Sequence, residues 1–410
     1  MDPLRLDRYA ELLVRFGLNL DPGQPVLLTA GLDQPDFVRL VIEKCYRAGA
    51  SKVEVVWEDM PSARLHQLYQ SESSLSSIEA WKLARWKWVA DNLPARLWLD
   101  SEDPDGMAGI DQGKRARSQM AWMPKVKPYR DAIENRHQWC IAAVPGRRWA
   151  EKVFPGIPSE AAVEKLWSAI LTAARADGDP LENWRKHNEE IHSRCDILNS
   201  LGLAALRYRS ANGTDFEVGL MARSRFCGAA ETDLSGRRFN PNIPSEEIFT
   251  TPKRGVAEGV LVATKPLSWQ GSLIEDFSIR FRGGRAVEVR AARGEEALAR
   301  MIRMDEGAAC LGECALIDFD SPINRSGILF YNTLFDENAC CHVALGRGFN
   351  DCVKGYEELS RQELAELGVN DSLIHVDFMI GSRDLDITGI TADGREIPVF
   401  RSGSWAIESH

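Results

Sequence analysis

The sequence lacks the long apolar segments of a membrane protein. No run of about 18 apolar residues occurs anywhere in the 410 residues. The first residues, Met1–Asp7, carry charges and have no apolar signal core. We therefore predict no membrane partner and a cytoplasmic location.

Three further signatures are missing. The nine cysteines form no CxxC pair, and their odd number without an export signal predicts reduced thiols. No GxGxxG or P-loop motif is present, which disfavours a nucleotide cofactor. The formal net charge of −10 implies no basic face, so we predict no nucleic-acid partner.

The first half of the chain alternates between helical and extended patterns. Residues 5–18 carry apolar side chains at helical spacing, and the short apolar run Val26–Leu28 favours a strand. An amphipathic helix over 36–48 and a strand over 52–57 follow, which gives a β-α-β unit and hence a parallel sheet. Further predicted elements are helices over 75–92, 112–134, 160–175 and 180–199, and strands over 95–99 and 139–144.

The second half is rich in short strands. Ala211–Gly213 lies between alternating segments, which indicates a hairpin within 206–220. Other predicted strands are 273–281, 285–290, 327–331 and 375–380. We therefore predict an α/β domain with a parallel sheet over 1–195, and a mixed, strand-rich α+β domain over 196–410 that carries the chemistry.

Two of the seven histidines lie in acidic, structured surroundings. Glu337 and His342 are five residues apart, a spacing that separates them on a straight helix but lets both face one point in a bend. His375 and Asp377 share one face of a predicted strand. Imidazole nitrogen beside carboxylate oxygen is a common ligand pair for divalent transition metals.

Two single carboxylates extend this pattern. Glu313 lies in an apolar run that favours a strand, where an unpaired charge is costly and a cation is needed. Glu247 ends a polar turn before an apolar pair. From the residues alone the alternatives stay open: a structural His375–Asp377 pair, a loop hydrogen bond at His342, an arginine partner for Glu313, and a helix start capped by Ser245.

Several long motifs resemble the aminopeptidase T/aminopeptidase S family of metallopeptidases. The resemblance covers the whole length and is sharpest from about residue 195 onward. The segments that carry it are 242–252, 332–339, 342–346, 375–382 and 384–405.

The resemblance implies a two-domain homodimer that hydrolyses small peptides with two divalent metal ions in its C-terminal domain. Zinc, cobalt, manganese and magnesium all suit mixed oxygen and nitrogen ligands. The implied ligands are Glu247, Glu313, Glu337, His342, His375 and Asp377. We expect Glu313 also to be catalytic, by moving a proton to the leaving amine.

One position departs from the family pattern. The family usually has a tyrosine seven residues after the first of these histidines, whereas this chain has Phe349. A phenol there would stabilise an oxyanion, and phenylalanine has no hydroxyl. Two alternatives to the metallo-aminopeptidase therefore stay open: a mononuclear iron(II) ring-cleaving dioxygenase of the same fold, and a metal-binding homologue with lost or altered hydrolase activity.

Overall fold

The chain folds into two compact units. The computed structural model describes residues 1–269 and 271–407. The first unit comprises Met1–Trp184 and Ala230–Pro244, and the second comprises Arg185–Ala229 and the chain from Ser245 onward. The predicted single boundary at residue 195 differs from this arrangement, because Ala230–Pro244 returns to the first unit and adds an edge strand to its sheet.

The helices agree with the alternating pattern of the first half. The α-helices of the described chain are α1 (Pro3–Leu12), α2 (Pro35–Arg47), α3 (Met60–Tyr69), α4 (Glu72–Leu75), α5 (Ala80–Asn92), α6 (Gln112–Ile133), α7 (Arg147–Val153), α8 (Ser159–Ala173), α9 (Pro180–Ser200), α10 (Glu295–Met301), α11 (Pro322–Arg325), α12 (Thr333–Asp336) and α13 (Arg361–Leu367). A π-helical segment, Leu13–Gly17, extends α1, and 3-10 turns form at Glu337–Ala339, Asn350–Cys352 and Tyr356–Glu358.

Strands dominate the second unit. The described strands are β1 (Pro25–Gly31), β2 (Lys52–Glu58), β3 (Ala95–Asp100), β4 (Trp139–Ala143), β5 (Leu203–Arg209), β6 (Asp215–Leu220), β7 (Cys227–Gly228), β8 (Glu231–Thr232), β9 (Arg238–Phe239), β10 (Asn242–Ile243), β11 (Ile248–Thr250), β12 (Pro252–Val262), β13 (Leu267–Trp269), β14 (Ser272–Arg282), β15 (Arg285–Arg293), β16 (Leu311–Leu316), β17 (His342–Gly346), β18 (His375–Met379), β19 (Asp386–Thr391), β20 (Glu396–Arg401) and β21 (Ser404–Trp405).

The first unit is built on a parallel sheet. Its strand order is β10–β4–β3–β1–β2, and every neighbouring pair is parallel. Parallel neighbours need crossover connections, which helices such as α2 and α6 provide. The predicted α/β fold with a parallel sheet is therefore confirmed.

Local capping explains where the first helix begins. The Asp2 carboxylate accepts a hydrogen bond from the backbone N–H of Leu4, and Pro3 occupies the first helical position. The helix therefore starts two residues before the predicted position 5. The predicted helix over 75–92 is instead two helices, α4 and α5, and α3 was missed because none of its residues is buried and its apolar pattern is weak.

The second unit contains two large antiparallel sheets. The larger follows the order β13–β14–β12–β6–β5–β19–β20–β21, with β15 paired to β14. The smaller has the order β18–β17–β16–β11–β7, and we call it the site sheet. The predicted strand-rich character is confirmed, although the predicted strand over 327–331 is wrong: this stretch is an irregular connection between α11 and α12.

Candidate metal centre

The site sheet brings three strands into register at one point. Glu313 of β16 lies opposite Ala344 of β17, and Ala344 lies opposite Asp377 of β18. Because residues directly opposite one another share a face, Glu313 and Asp377 project from the same side of the sheet. His342 and His375 lie two positions from Ala344 and Asp377 respectively, so both histidines join that face.

The opposite face of the same strands packs in the hydrophobic core. Cys314, Val343 and Phe378 alternate with the polar residues and are at most 1% exposed. Full burial of an aliphatic or aromatic side chain of this size contributes about 1.5–3 kcal/mol. A one-residue slip of any strand would exchange these side chains with charged ones, so the core fixes the register that assembles the site.

Two further carboxylates reach the site from irregular segments. Glu247 directly precedes β11 and is 9% exposed. Glu337 opens the 3-10 turn that leads toward β17. No helix begins at Ser245, so the alternative of a capped helix start does not apply to Glu247.

The ligand atoms form two groups that share one residue. The first ligand group consists of Glu247, Glu313 and His342, and the second ligand group consists of Glu313, His375 and Asp377. Within each group the nitrogen and oxygen atoms all lie within 4.8 Å of one another. Glu313 therefore occupies a position between two candidate metal sites.

Short distances define the second group most tightly. His375 Nε2 lies 3.1 Å from Glu313 Oε2 and 3.2 Å from Asp377 Oδ1. In the first group, His342 Nε2 lies 3.5 Å from Glu247 Oε2, and it is also 3.9 Å from Asp377 Oδ1. Glu313 thus faces a histidine, and no ion pair joins it to an arginine among the residues that the structure describes.

Both histidines are oriented by backbone carbonyls. His342 Nδ1 is 2.9 Å from the carbonyl oxygen of Glu337, and His375 Nδ1 is 2.7 Å from that of Arg347. A carbonyl can only accept, so each Nδ1 donates its hydrogen and each Nε2 presents a lone pair to the carboxylates when the ring is neutral. This is the arrangement that metal-binding histidines use.

The site holds more negative charge than its own residues can balance. Burial and the nearby carboxylates, Asp377 first, raise the pKa of the Glu337 carboxyl well above its ordinary value. Burial lowers the pKa of the His375 imidazole, but the Asp377 and Glu313 carboxylates outweigh burial and hold it well above its ordinary value. The metal-free site therefore takes up protons in place of a cation.

A divalent cation fits this arrangement. Within the described residues, Asp377 Oδ1 is buried and receives no hydrogen bond, although His375 Nε2 lies beside it. Two lone-pair donors that face each other across about 3 Å repel unless a proton or a metal ion lies between them. The donor set of carboxylates and imidazoles matches that need.

An aromatic pair flanks the second group. The Phe349 ring centroid lies 4.9 Å from that of His375 and 5.4 Å from that of Phe249. Phe349 is partly exposed, so its ring forms part of the surface beside the ligands. The structure thus places the residue that replaces the family's usual tyrosine in contact with a candidate metal ligand.

The six predicted site residues lie together, but nothing in the sequence indicated the backbone carbonyl groups that orient the two histidines. Five of the six belong to the two ligand groups, and the charges of those groups act on Glu337. The Arg347 and Glu337 carbonyls that orient the histidines are backbone groups, which the sequence does not distinguish from any other carbonyl. The assignment of these six side chains as metal ligands remains a prediction.

Comparison with known proteins gives this geometry its context. The profile of the thermophilic metalloprotease family M29 matches residues 3–405. The chain belongs to this family. It is 40% identical over 404 residues to aminopeptidase AmpS of Bacillus subtilis, with 98% of each chain covered.

A solved structure supports the same conclusion for the M29 fold. Wild-type AmpT from Thermus thermophilus superposes with a TM-score of 0.91 at 40% identity, covering 98% of this chain and 99% of that one. The resemblance inferred from the motifs is therefore confirmed, and with it the prediction of a metal-dependent hydrolase of the aminopeptidase class.

The oxygenase alternative has only the fold in its favour. A 2,5-dihydroxypyridine dioxygenase from Pseudomonas putida matches with a TM-score of 0.51 at 14% identity, covering 99% of this chain and 97% of that one. Similarity at this level shows a shared architecture and says nothing about chemistry.

Proposed function

We propose that this M29 protein removes N-terminal residues from small peptides with two divalent metal ions bound by Glu247, Glu313, Glu337, His342, His375 and Asp377. The observation that carries the proposal is the position of Glu313 in both ligand groups. A carboxylate shared by two groups suits a pair of neighbouring ions, as in two-metal aminopeptidases. A single iron site needs only two histidines and one carboxylate.

Charge balance also supports two ions. Four carboxylates and two neutral imidazoles carry a formal charge of −4, which two divalent cations neutralise. With one ion, two further charges would need protons or remain uncompensated in a site whose members are largely buried, and buried unpaired charges are costly. Zinc, cobalt, manganese and magnesium all remain candidates.

The protein's own groups then have distinct tasks. Bound divalent ions supply Lewis acidity at the scissile carbonyl and lower the pKa of a water that they hold. We assign to Glu313 the transfer of a proton toward the leaving amine. Cleavage at the N-terminus requires that the free α-amino group of the peptide be recognised, and a peptide with a blocked N-terminus lacks that group.

Three broader predictions accompany this function. The family resemblance implies a homodimer, the lack of an apolar signal core predicts a cytoplasmic location, and peptides are the substrates that the names of the aminopeptidase relatives suggest. No helix among the described residues is long and apolar enough to cross a membrane.

Hydrolysis assays on metal-free protein test the proposal. The protein is stripped with a chelator, each of the four metals is added back, and release of p-nitroaniline from leucine p-nitroanilide is measured. N-acetyl-leucine p-nitroanilide is the matched control, because acetylation removes the positive charge of the amine. We expect metal-dependent release from the free amine only. Release that survives chelation, or equal release from the acetylated compound, would contradict the proposal.

A further inference from the structure

Two separate sets of hydrogen bonds support the two ligand groups. We propose that Asn338 positions the first ligand group and Thr251 positions the second, so that each metal site can be weakened without the other. This inference rests on the proposed function only in assuming that each group holds an ion.

Asn338 joins the two segments that carry the first group. Its side chain is completely buried, and its Oδ1 accepts a hydrogen bond of 2.6 Å from the backbone N–H of Glu246, the residue before the ligand Glu247. Its Nδ2 donates to the carbonyl of Leu334 at 3.0 Å. Asn338 thereby fixes the loop before β11 to the 3-10 turn Glu337–Ala339.

The same turn orients the histidine of the first group. The carbonyl of Glu337, adjacent to Asn338 in the chain, accepts from His342 Nδ1. A shift of the turn would therefore move Glu247 through its backbone and rotate His342 through its Nδ1 partner. Both effects fall on the first group, because His375 takes its carbonyl partner from another segment.

Thr251 supports the segment formed by residues 346–349, which contains the carbonyl group that orients His375. Its buried hydroxyl accepts a hydrogen bond of 2.7 Å from the Phe349 N–H and lies 3.2 Å from the Phe349 carbonyl, to which it donates. Its methyl group also packs closely on Gly348, where an added Cβ would lie only 2.7 Å away. Thr251 thus holds the backbone just after Arg347, whose carbonyl orients His375.

Contacts of the same segment reinforce its link to the second group. The Phe349 ring packs on the His375 ring, so displacement of Phe349 disturbs the histidine directly. The Asn370 side chain donates to the Gly346 carbonyl at 2.5 Å, which anchors the beginning of the segment. Thr251 anchors its end, and the described hydrogen-bond partners of Thr251 and Asn338 have no residue in common.

Outer hydrogen-bond partners of this kind typically change metal affinity by about 10- to 100-fold. We therefore expect Asn338→Ala to weaken the binding of an ion to the first ligand group by about that factor. Thr251→Val should weaken the binding of an ion to the second ligand group to a similar extent. Thr251→Ser retains the hydroxyl and loses only the methyl group, so it is the matched control for Thr251→Val and should restore most of the affinity that Thr251→Val loses. Asn338→Ala and Thr251→Val also serve as controls for each other, because each should leave the ligand group of the other unchanged.

Titration of metal-free protein with Co²⁺ tests the proposal without any turnover measurement. Calorimetry gives the affinity of each event, and visible absorption reports the ligand environment. Two ligand variants show which binding event belongs to which group: the event lost in His342→Ala belongs to the first ligand group, and the event lost in His375→Ala belongs to the second. Thermal unfolding of each metal-free variant verifies its fold, and Asn338→Ser replaces Asn338→Ala if the alanine variant does not fold.

The outcomes separate this inference from the proposed function. The proposal is supported if Asn338→Ala weakens only the binding event of the first ligand group and Thr251→Val only that of the second, with affinity restored in Thr251→Ser. Equal weakening of both binding events, no weakening, or failure of Thr251→Ser to restore the affinity would overturn the positioning roles of Asn338 and Thr251. A wild-type protein that binds fewer than two ions would instead contradict the two-metal proposal.

Discussion

His375 is the residue whose removal tests the site most sharply. Its Nε2 is close to both Glu313 and Asp377, so His375→Ala removes one of three ligand atoms from the second group. Changes confined to the outer hydrogen bonds of a metal ligand already cost about 10- to 100-fold in affinity. Loss of the ligand should therefore cost at least about 100-fold, or about 2.7 kcal/mol, and turnover should be lost with the metal.

The same substitution has a second effect in metal-free protein, with a defined pH dependence. His375 there pairs as an imidazolium with Glu313 and Asp377, and breaking a buried pair costs about 3–5 kcal/mol of unfolding free energy. The side chain of His375 is 26% exposed, so we expect the lower end of that range. Because the folded-state pKa of His375 is raised, this stabilisation is fully present below its ordinary pKa of about 6.5 and is lost as the pH rises through the folded value.

Two measurements check the prediction for His375→Ala. Calorimetric titration gives the metal affinity, and urea unfolding of chelator-treated protein at a series of pH values gives the stability difference. His66→Ala, at an exposed position of α3, is the matched control and should alter neither quantity. Wild-type affinity in His375→Ala would refute the site assignment, and a stability difference that grows with pH would refute the electrostatic reasoning.

Three further predictions concern other residues of the site sheet and its surroundings. Glu337→Gln should raise the urea midpoint of metal-free protein, because burial and the nearby carboxylates raise the pKa of Glu337, yet it should weaken metal binding; a lower midpoint would contradict the charge argument. Phe349→Tyr should raise kcat by up to about 100-fold on leucine p-nitroanilide with little change in metal content, since one oxyanion donor is worth about that factor; an unchanged kcat would show that the hydroxyl is not needed here. Gly346→Ala should destabilise the protein by about 1–3 kcal/mol in thermal or urea unfolding, because Gly346 has a φ of +103° and an added Cβ would lie 2.1 Å from the Ile374 carbonyl oxygen; wild-type stability would contradict the need for glycine.

Much of the fold followed from apolar periodicity. The alternation around β1, α2 and β2 predicted a parallel sheet, and Ala211–Gly213 predicted the hairpin of β5 and β6, because both signals are local and the core enforces them. The return of Ala230–Pro244 to the first unit was not predictable in this way. Its strand β10 pairs with β4 through residues about a hundred positions apart, and two residues carry no periodicity.

The proximity of His375 and Asp377 was predictable from the sequence, and the hydrogen bonds that support the site residues were not. His375 and Asp377 share a strand face, so their proximity followed from a period of two. The convergence of Glu313 on them depends on the register between β16, β17 and β18, and the sequence pattern does not state which strands pair. The roles of Asn338 and Thr251 depend on contacts to backbone groups of distant segments, which no motif encodes.

The metal content of the purified protein is the most direct test of the two-metal aminopeptidase. Elemental analysis should be made on the same sample that is assayed with leucine p-nitroanilide, with the chelator-treated protein in parallel. We predict about two divalent ions per chain and activity that falls when they are removed and returns when they are added back. One iron per chain without amide hydrolysis, or full activity in the metal-free sample, would contradict it.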